Sequence, residues 1–188
     1  GLLESESFVR QATLTESQQE FVEGFAKIAL EEHERRSLPP DDYRRVHALW
    51  LLGRLRRTRG RWIEAINAFA EVGEVDLEIF GHVGAGSFYL DAGIVAFEAI
   101  GFVPEGDRPK VFEAASNWTV VAVHFAETAQ DRLTATKALM NLALIYDFAD
   151  AHEQIPPVLE RAREHAQRAG DPALRERLSM LAAKLGQL

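Results

Sequence analysis

The sequence predicts an all-α fold of antiparallel helical hairpins, and three observations support this class. Apolar residues recur at helical spacing along nearly the whole chain, whereas the alternation of a half-buried strand is hard to find. Turn signals break the pattern at short intervals, and helices joined by about two to five residues lie antiparallel. The length of 188 residues suits one domain with its own core. We therefore expect one helical domain over residues 1–188, with residues 1–14 as a tag remnant or flexible lead-in.

The first predicted helix begins at Thr15 and ends near Ser37. Thr15 and Gln18 have the spacing of a capping box, in which each side chain binds a backbone N–H at the start of the helix. Apolar side chains share one face of this helix, namely Phe21, Phe25 and Ile28.

Two further helices are predicted on either side of Gly60. One runs from about Asp41 and carries arginines in its last turns, where cations suit the negative end of the helix dipole. Gly60 is a natural stop for it. The next helix starts at Trp62, and we expect Gly73 to end it.

Glycines make the middle of the chain the hardest part to assign. We predict a helix across Asp76–Leu90, although each interior glycine costs about 1 kcal/mol relative to alanine. A short apolar helix from Gly93 to Gly101 follows. After a turn at Pro104–Pro109, apolar spacing and proline start signals predict four more helices. The first runs from the turn to about Gln130, and the others cover Leu133–Phe148, Glu153–Ala169 and Pro172–Leu185.

One stretch resembles the tetratricopeptide repeat (TPR) family. Its residues have the spacing of that repeat: Leu49, Leu52, Gly53, Gly60, Trp62, Ala65 and Phe69. Gly53 and Ala65 are small where two helices would cross, while Trp62 and Phe69 would fill the adjacent space. The stretch departs from the family at three positions, with Leu49 for the usual tryptophan, Arg56 for tyrosine and Leu77 for proline.

A degenerate second copy follows after 33 residues. Gly86, Tyr89, Gly93 and Phe102 repeat the positions of Gly53, Arg56, Gly60 and Phe69. In this register Gly86 is a helix-crossing contact and Gly93 a hairpin turn, while Glu98 replaces the expected alanine. A partial third copy contains Leu139, Leu142, Ala143 and Tyr146. The resemblance implies hairpins stacked as a right-handed TPR-like superhelix with irregular repeats.

The resemblance also implies a groove lined by the first helix of each unit. It places His47, Trp50, Arg54 and Arg57 in that groove, and their spacing keeps them on one helical face. Two guanidinium groups beside an aromatic ring could hold an acidic peptide, because arginine binds carboxylates bidentately. The alternative is a solvated, dipole-favourable helix end.

Later copies add two more sets of groove residues. Lys137 and Asn141 resemble the Lys/Asn clamp of some peptide-carboxylate-binding members, although the full set of clamp residues is missing. The second copy places Phe80, Val83 and Leu90 at equivalent positions. These apolar residues would bind an apolar ligand residue, pack under another helix or form a homodimer seam.

The glycine-rich stretch GHVGAG, Gly81–Gly86, allows two interpretations. Gly84 and Gly86 match two of the three glycines of a dinucleotide-binding loop, but Tyr89 occupies the third position. The sequence also lacks a convincing partner strand for a parallel sheet. We therefore favour close helix packing, with Gly81 and Gly84 unexplained by the repeat.

No enzyme or metal motif supports a catalytic role. The six histidines form no i,i+4 pair and no His-Glu-x-x-His, and Ser87 is not in a Gly-x-Ser-x-Gly elbow. We predict no catalytic residue, metal or cofactor.

Composition limits the class of partner. The net charge of -8 disfavours broad binding to nucleic acid or anionic membranes, and no apolar run approaches the roughly 20 residues of a membrane span. The chain has no cysteine, which fits a cytoplasmic protein.

The leading functional hypothesis is a non-enzymatic module that binds a peptide or protein segment, in particular an acidic one, in a helical groove. One alternative is a ligand-sensing regulatory domain of a larger signalling or transcription protein, with a pocket around Gly84, Gly86 and Trp118. The second alternative is an all-helical enzyme without a recognisable motif.

Overall fold

The computed structural model describes residues 15–38, 43–80 and 84–186, except the side chains of residues 75–80. The predictions for residues 1–14, the helix start near Asp41, and Gly81 and Val83 lie outside the described residues. The described chain contains helices and no strand, which confirms the all-α prediction. Its α-helices, in chain order, are α1 Glu16–Arg35, α2 Tyr43–Thr58, α3 Trp62–Phe80, α4 Ala85–Ala99, α5 Arg108–Thr128, α6 Arg132–Phe148, α7 Ile155–Ala169 and α8 Pro172–Lys184.

Side-chain caps fix several helix starts. The predicted capping box of α1 is present, because the backbone N–H of Thr15 donates to Gln18 Oε1 at 2.9 Å and the Gln18 N–H donates to Thr15 Oγ1. Asp131 caps α6 and Asp171 caps α8 by accepting backbone N–H groups. Prolines occupy the first turn of α7, where their missing N–H is tolerated.

Helices α4 and α5 run antiparallel, as two contacts between them show. The start of α4 meets the end of α5 at Gly86 and Ala126, whereas further along α4 Gly93 meets Thr119. Tight turns make this reversal, and Gly60 takes a left-handed φ of 69° between α2 and α3. The predicted stop at Gly60 is therefore confirmed.

Three predictions around the glycines are wrong. Gly73 does not end α3, which continues to Phe80, and Gly93 is not a hairpin turn but lies inside α4. Both are buried because they face bulky neighbours: a Cβ on Gly73 would lie 2.9 Å from the Tyr89 ring. Phe102 does not fill a core position equivalent to Phe69, since it lies after α4 with 71% of its surface exposed.

The first predicted unit packs as its residues suggest. A Cβ at Gly53 would lie 2.9 Å from the Phe69 ring, so this glycine allows α2 and α3 to cross closely. Leu52, Ala65 and Phe69 are buried in the same apolar cluster. Trp62 is half-buried and stacks on the Phe102 ring, with a centroid separation of 5.0 Å.

Alternate helices also touch, and this brings the candidate site together. Besides packing on its neighbours in sequence, α4 contacts α6, and α6 contacts α8. Arg57 of α2 reaches Glu98 of α4, so α2 joins the same face. The even-numbered helices thus form one continuous surface. No helix among the described residues is long and apolar enough to cross a membrane.

Candidate partner-binding groove

The first part of the candidate site lies on α2 and consists of an aromatic residue and two arginines. Trp50 is buried, and the guanidinium carbon of Arg54 lies 5.3 Å from the centre of its ring, within cation–π range. Arg57 lies one turn further along α2 and donates to Glu98 Oε1 at 2.6 Å. The three residues share one face of the helix, which the sequence spacing predicts.

Two carboxylates of α4 face these arginines. Asp91 accepts a hydrogen bond from the Trp50 side chain and lies in the field of Arg54, Arg57 and Lys137. Burial raises the pKa of Asp91 above its usual range, and the surrounding cations and the Trp50 hydrogen bond only partly offset this rise. Arg57 is therefore already paired with a carboxylate of its own chain, and Arg54 lies in the field of another.

A surface pocket of about 420 Å³ lies between α4, α6 and α8, and Glu98 forms part of its lining. Its apolar lining is formed by Ile94, Phe97, Met140, Leu144 and Leu174. Its polar lining is formed by Glu98, Lys137, Asn141 and Arg177. An apolar pocket with a few polar groups from different helices is typical of a ligand site.

The predicted groove residues differ in their exposure and in their position relative to the pocket. Lys137 is exposed at the pocket, next to Arg177. Asn141 also lines the pocket, but its amide Nδ2 donates inward to Thr119 Oγ1 at 2.9 Å. His47 is buried, with its ring edge-on to Tyr43, so it belongs to the base of the face.

The apolar part of the groove prediction has a different outcome. The side chain of Phe80 and all of Val83 lie outside the described residues. Leu90 is buried in the apolar cluster that joins α4 to α5, α6 and α7. This corresponds to packing under another helix, which is one of the fates expected from the sequence.

Sequence reasoning missed three charged residues of this face: Asp91, Glu98 and Arg177. Glu98 was visible as a departure from the repeat, where a charged group replaces a small one. A register that put Gly93 inside a helix would have placed Asp91, Ile94 and Glu98 on one face of α4, at spacings of three and four. The incorrect hairpin turn at Gly93 concealed this pattern.

At Gly86, the glycine-rich stretch forms a close helix–helix contact and not an open loop. A Cβ there would lie 2.9 Å from the backbone nitrogen of Ala126 in α5, so only glycine permits this approach. Gly84 occupies the N-cap position of α4, and its carbonyl accepts from the Ser87 hydroxyl at 2.9 Å. Gly86 thus acts in helix packing, as the sequence predicts.

A second pocket of about 340 Å³ lies along α5 and includes Trp118. All its described lining residues come from that single helix, among them Lys110, Glu113 and Asn117. The Trp118 ring stacks on Tyr89 at a centroid distance of 5.2 Å. This pocket therefore lacks the convergence of several helices that distinguishes the first one.

No metal site is found among the described residues, and comparison with known proteins identifies no family. Within residues 15–38, 43–80 and 84–186, no group of three or more His, Asp or Glu side chains is arranged to hold a metal ion. No protein-family model matches the chain, and a search of curated proteins finds no similar sequence.

Proposed function

We propose that this protein is an interaction module that binds an extended peptide segment along the face of α2, α4, α6 and α8. The single observation that carries the proposal is the pocket of about 420 Å³, where apolar side chains of three helices converge beside cationic groups. Such a pocket suits one large apolar side chain of a peptide, with the flanking residues lying across the neighbouring helices.

Charge favours a peptide with acidic residues. The face carries Arg54, Arg57, Lys137 and Arg177 against the two carboxylates Asp91 and Glu98. This cationic excess is local, because the chain as a whole has a net charge of -8. An acidic segment would therefore be attracted to this face and repelled by much of the remaining surface.

Apolar burial and charge would have separate roles in binding. Fully burying a leucine or phenylalanine side chain contributes about 1.5–3 kcal/mol. Exposed ion pairs contribute about 0.2–1 kcal/mol each. We therefore assign most of the affinity to the pocket, and orientation and association rate to the cations.

A random peptide library displayed on phage tests the proposal, with selected peptides measured by fluorescence anisotropy. We expect enrichment of a large apolar residue close to Asp or Glu. Lys137→Ala combined with Arg177→Ala should weaken binding roughly tenfold and reduce its salt dependence. Arg175→Ala is the matched control, because Arg175 is exposed on the same helix as Arg177 but does not line the pocket.

Two results would contradict the proposal. One is a set of selected peptides without acidic enrichment, and the other is equal binding by the double variant and the control. The two arginines of α2 provide a further comparison, since Arg54→Ala with Arg57→Ala should have a smaller effect on affinity. Arg57 must first leave Glu98 before it can bind a peptide carboxylate.

A further inference from the structure

The first described helix, α1, presents an apolar face to solvent. Phe21 and Ile28 each have 63% of their surface exposed, and Phe25 has 39%. The Phe21 and Phe25 rings contact each other at 5.1 Å, so the three side chains form one continuous patch. The spacing of four and three residues extends this patch over about two helical turns, or roughly 10 Å.

The fold of α1 does not need this patch, because the opposite face holds the helix in place. Val22 and Ala26 are buried in the apolar cluster shared with α2. Glu23 is also buried, and it pairs with Lys27, Arg59 and Arg61. Burial alone would raise the pKa of Glu23, but these three cations hold it below its usual value.

Gly24 supplies a second observation about the same face. A Cβ added at this position would meet nothing within 4 Å, so intramolecular packing does not require glycine here. Glycine in a helix interior is also less stable than alanine. A glycine beside exposed Phe21 and Ile28 instead provides a point where the backbone of another helix could approach closely.

The charge of α1 indicates which kind of helix would fit. This helix has six carboxylates against two permanent cations, Lys27 and Arg35. Glu20 and Glu31 are exposed along the edge of the face on the side of Gly24, and Lys27, which lies between them on this edge, is paired with Glu23 at 2.9 Å. A partner with lysines or arginines beside an apolar stripe would complement both features.

We propose that α1 is a docking surface for a basic amphipathic helix of another protein. The partner places apolar residues at i, i+3 or i+4, and i+7 on Phe21, Phe25 and Ile28. Its basic edge lies along Glu20 and Glu31.

A second copy of this chain fits the same surface less well. A two-fold antiparallel pair of α1 helices brings the Glu20 and Glu31 edge of one copy against the same edge of the other. Like charges in such contact oppose association. The charge pattern therefore separates a foreign basic helix from self-association.

The test uses two labelled 18-residue amphipathic peptides, one of leucine and lysine and one of leucine and glutamate. We expect the Leu/Lys peptide to bind the full chain at α1, whereas binding of the Leu/Glu peptide in the groove should be unchanged by substitutions in α1. Phe21→Ser combined with Ile28→Ser should weaken binding of the Leu/Lys peptide at least tenfold. The control is Met180→Ser, which changes an apolar residue on α8 with 66% exposure.

Further measurements distinguish the alternatives. Circular dichroism of the double variant should retain the helical signal, because both substituted residues are exposed. Equal binding of the Leu/Lys peptide by wild type and the double variant would show attraction to the acidic chain only and overturn the proposal. A wild-type dimer in analytical ultracentrifugation that becomes monomeric in the double variant would instead identify a second copy as the occupant.

Discussion

Asn141 and Thr119 join α6 to α5 through a buried hydrogen bond in which the Asn141 amide donates to the Thr119 hydroxyl at 2.9 Å. This bond lies directly beside Gly93, whose missing Cβ leaves room for the Thr119 backbone: a Cβ would lie 3.0 Å from its nitrogen. Three helices therefore meet at one small polar contact beneath the groove. Asn141 supports the pocket wall from within, in addition to lining it.

Thr119→Val should destabilise the protein by about 1–3 kcal/mol, because it leaves a buried amide donor of Asn141 without its acceptor. Valine has nearly the same shape as threonine, so the change removes a hydrogen bond and creates little cavity. Urea unfolding measures the difference. Thr128→Val is the control, since Thr128 lies exposed on the same helix and bonds only to the His124 carbonyl in the described structure. Equal losses in both variants would contradict the special role of the buried contact.

Gly86→Ala should destabilise the protein by about 1–3 kcal/mol, since the new methyl group would press on the α5 backbone at Ala126. Gly24→Ala should instead stabilise it by about 0.5–1 kcal/mol, because the site is open and alanine favours the helix. Thermal or urea unfolding compares the two. The same shift in both variants would mean that close packing does not determine the choice of glycine at position 86.

Asp91→Asn should increase stability at pH 7 and lose this advantage as the pH falls. Burial raises the folded-state pKa of Asp91, so the ionised carboxylate destabilises the fold above that pKa. Protonation at lower pH removes the penalty from the wild type, whereas asparagine is neutral throughout and can still accept from Trp50. Urea unfolding of both proteins at pH 7 and pH 4 tests the sign. A difference that grows on acidification would contradict the assigned pKa direction.

Glu127→Gln should destabilise the protein by roughly 1 kcal/mol at pH 7, with a smaller effect in acid. Arg161 Nη2 lies 2.9 Å from both Glu127 carboxylate oxygens, and His165 Nε2 lies 3.0 Å from one of them. Burial alone would raise the pKa of Glu127, but these hydrogen bonds and charges lower it below 4.5. Its stabilisation is therefore complete above 4.5 and disappears as the pH falls through the folded-state pKa.

The Glu127 measurement is again urea unfolding, at pH 7 and pH 3. Glu113→Gln on the same helix is the control, because Glu113 is exposed. A constant difference between wild type and Glu127→Gln across this range would contradict the expected linkage.

Glu98→Gln should strengthen binding of an acidic peptide by roughly two- to fivefold, the effect of releasing one exposed ion pair. The substitution frees Arg57 from its 2.6 Å contact and removes a carboxylate from the pocket edge. Titration of a phage-selected acidic peptide at low and physiological salt measures the gain. Unchanged or weaker binding would place the peptide away from this part of the groove.

Local chemistry made most helices predictable from sequence. The Thr15 capping box and the proline start signals indicate where helices begin, because both depend on residues only a few positions apart. The helix end at Gly60 was predictable for the same reason, since the turn there requires a positive φ, which glycine adopts easily. These features depend on short stretches of chain, and the structure reproduces them.

The wrong predictions concern glycines that are required by contacts with residues distant in the sequence. Gly73 and Gly93 resemble helix ends in the sequence, yet their small size serves the Tyr89 ring and the Thr119 backbone. In the sequence, a glycine required by a turn cannot be told from a glycine required by a closely packed helix. Only the residue that packs against the glycine in the structure distinguishes the two cases. The spacing of the arginines was sufficient to place them on one face of α2. Asp91 and Glu98 lie on α4, and predicting their position required the correct helical register around Gly93.

The sequential packing of helices has a consequence for hydrogen exchange. Helix α8 packs on α7 and, more sparsely, on α6, so it stabilises few other elements. Opening α8 exposes Leu174, Leu178 and Ala182 while most of the remaining core stays intact. Its amide protons should therefore exchange well before those of α5, which packs between α4 and α6. Because α8 also supplies one wall of the pocket, a peptide bound there should slow the exchange of this helix first.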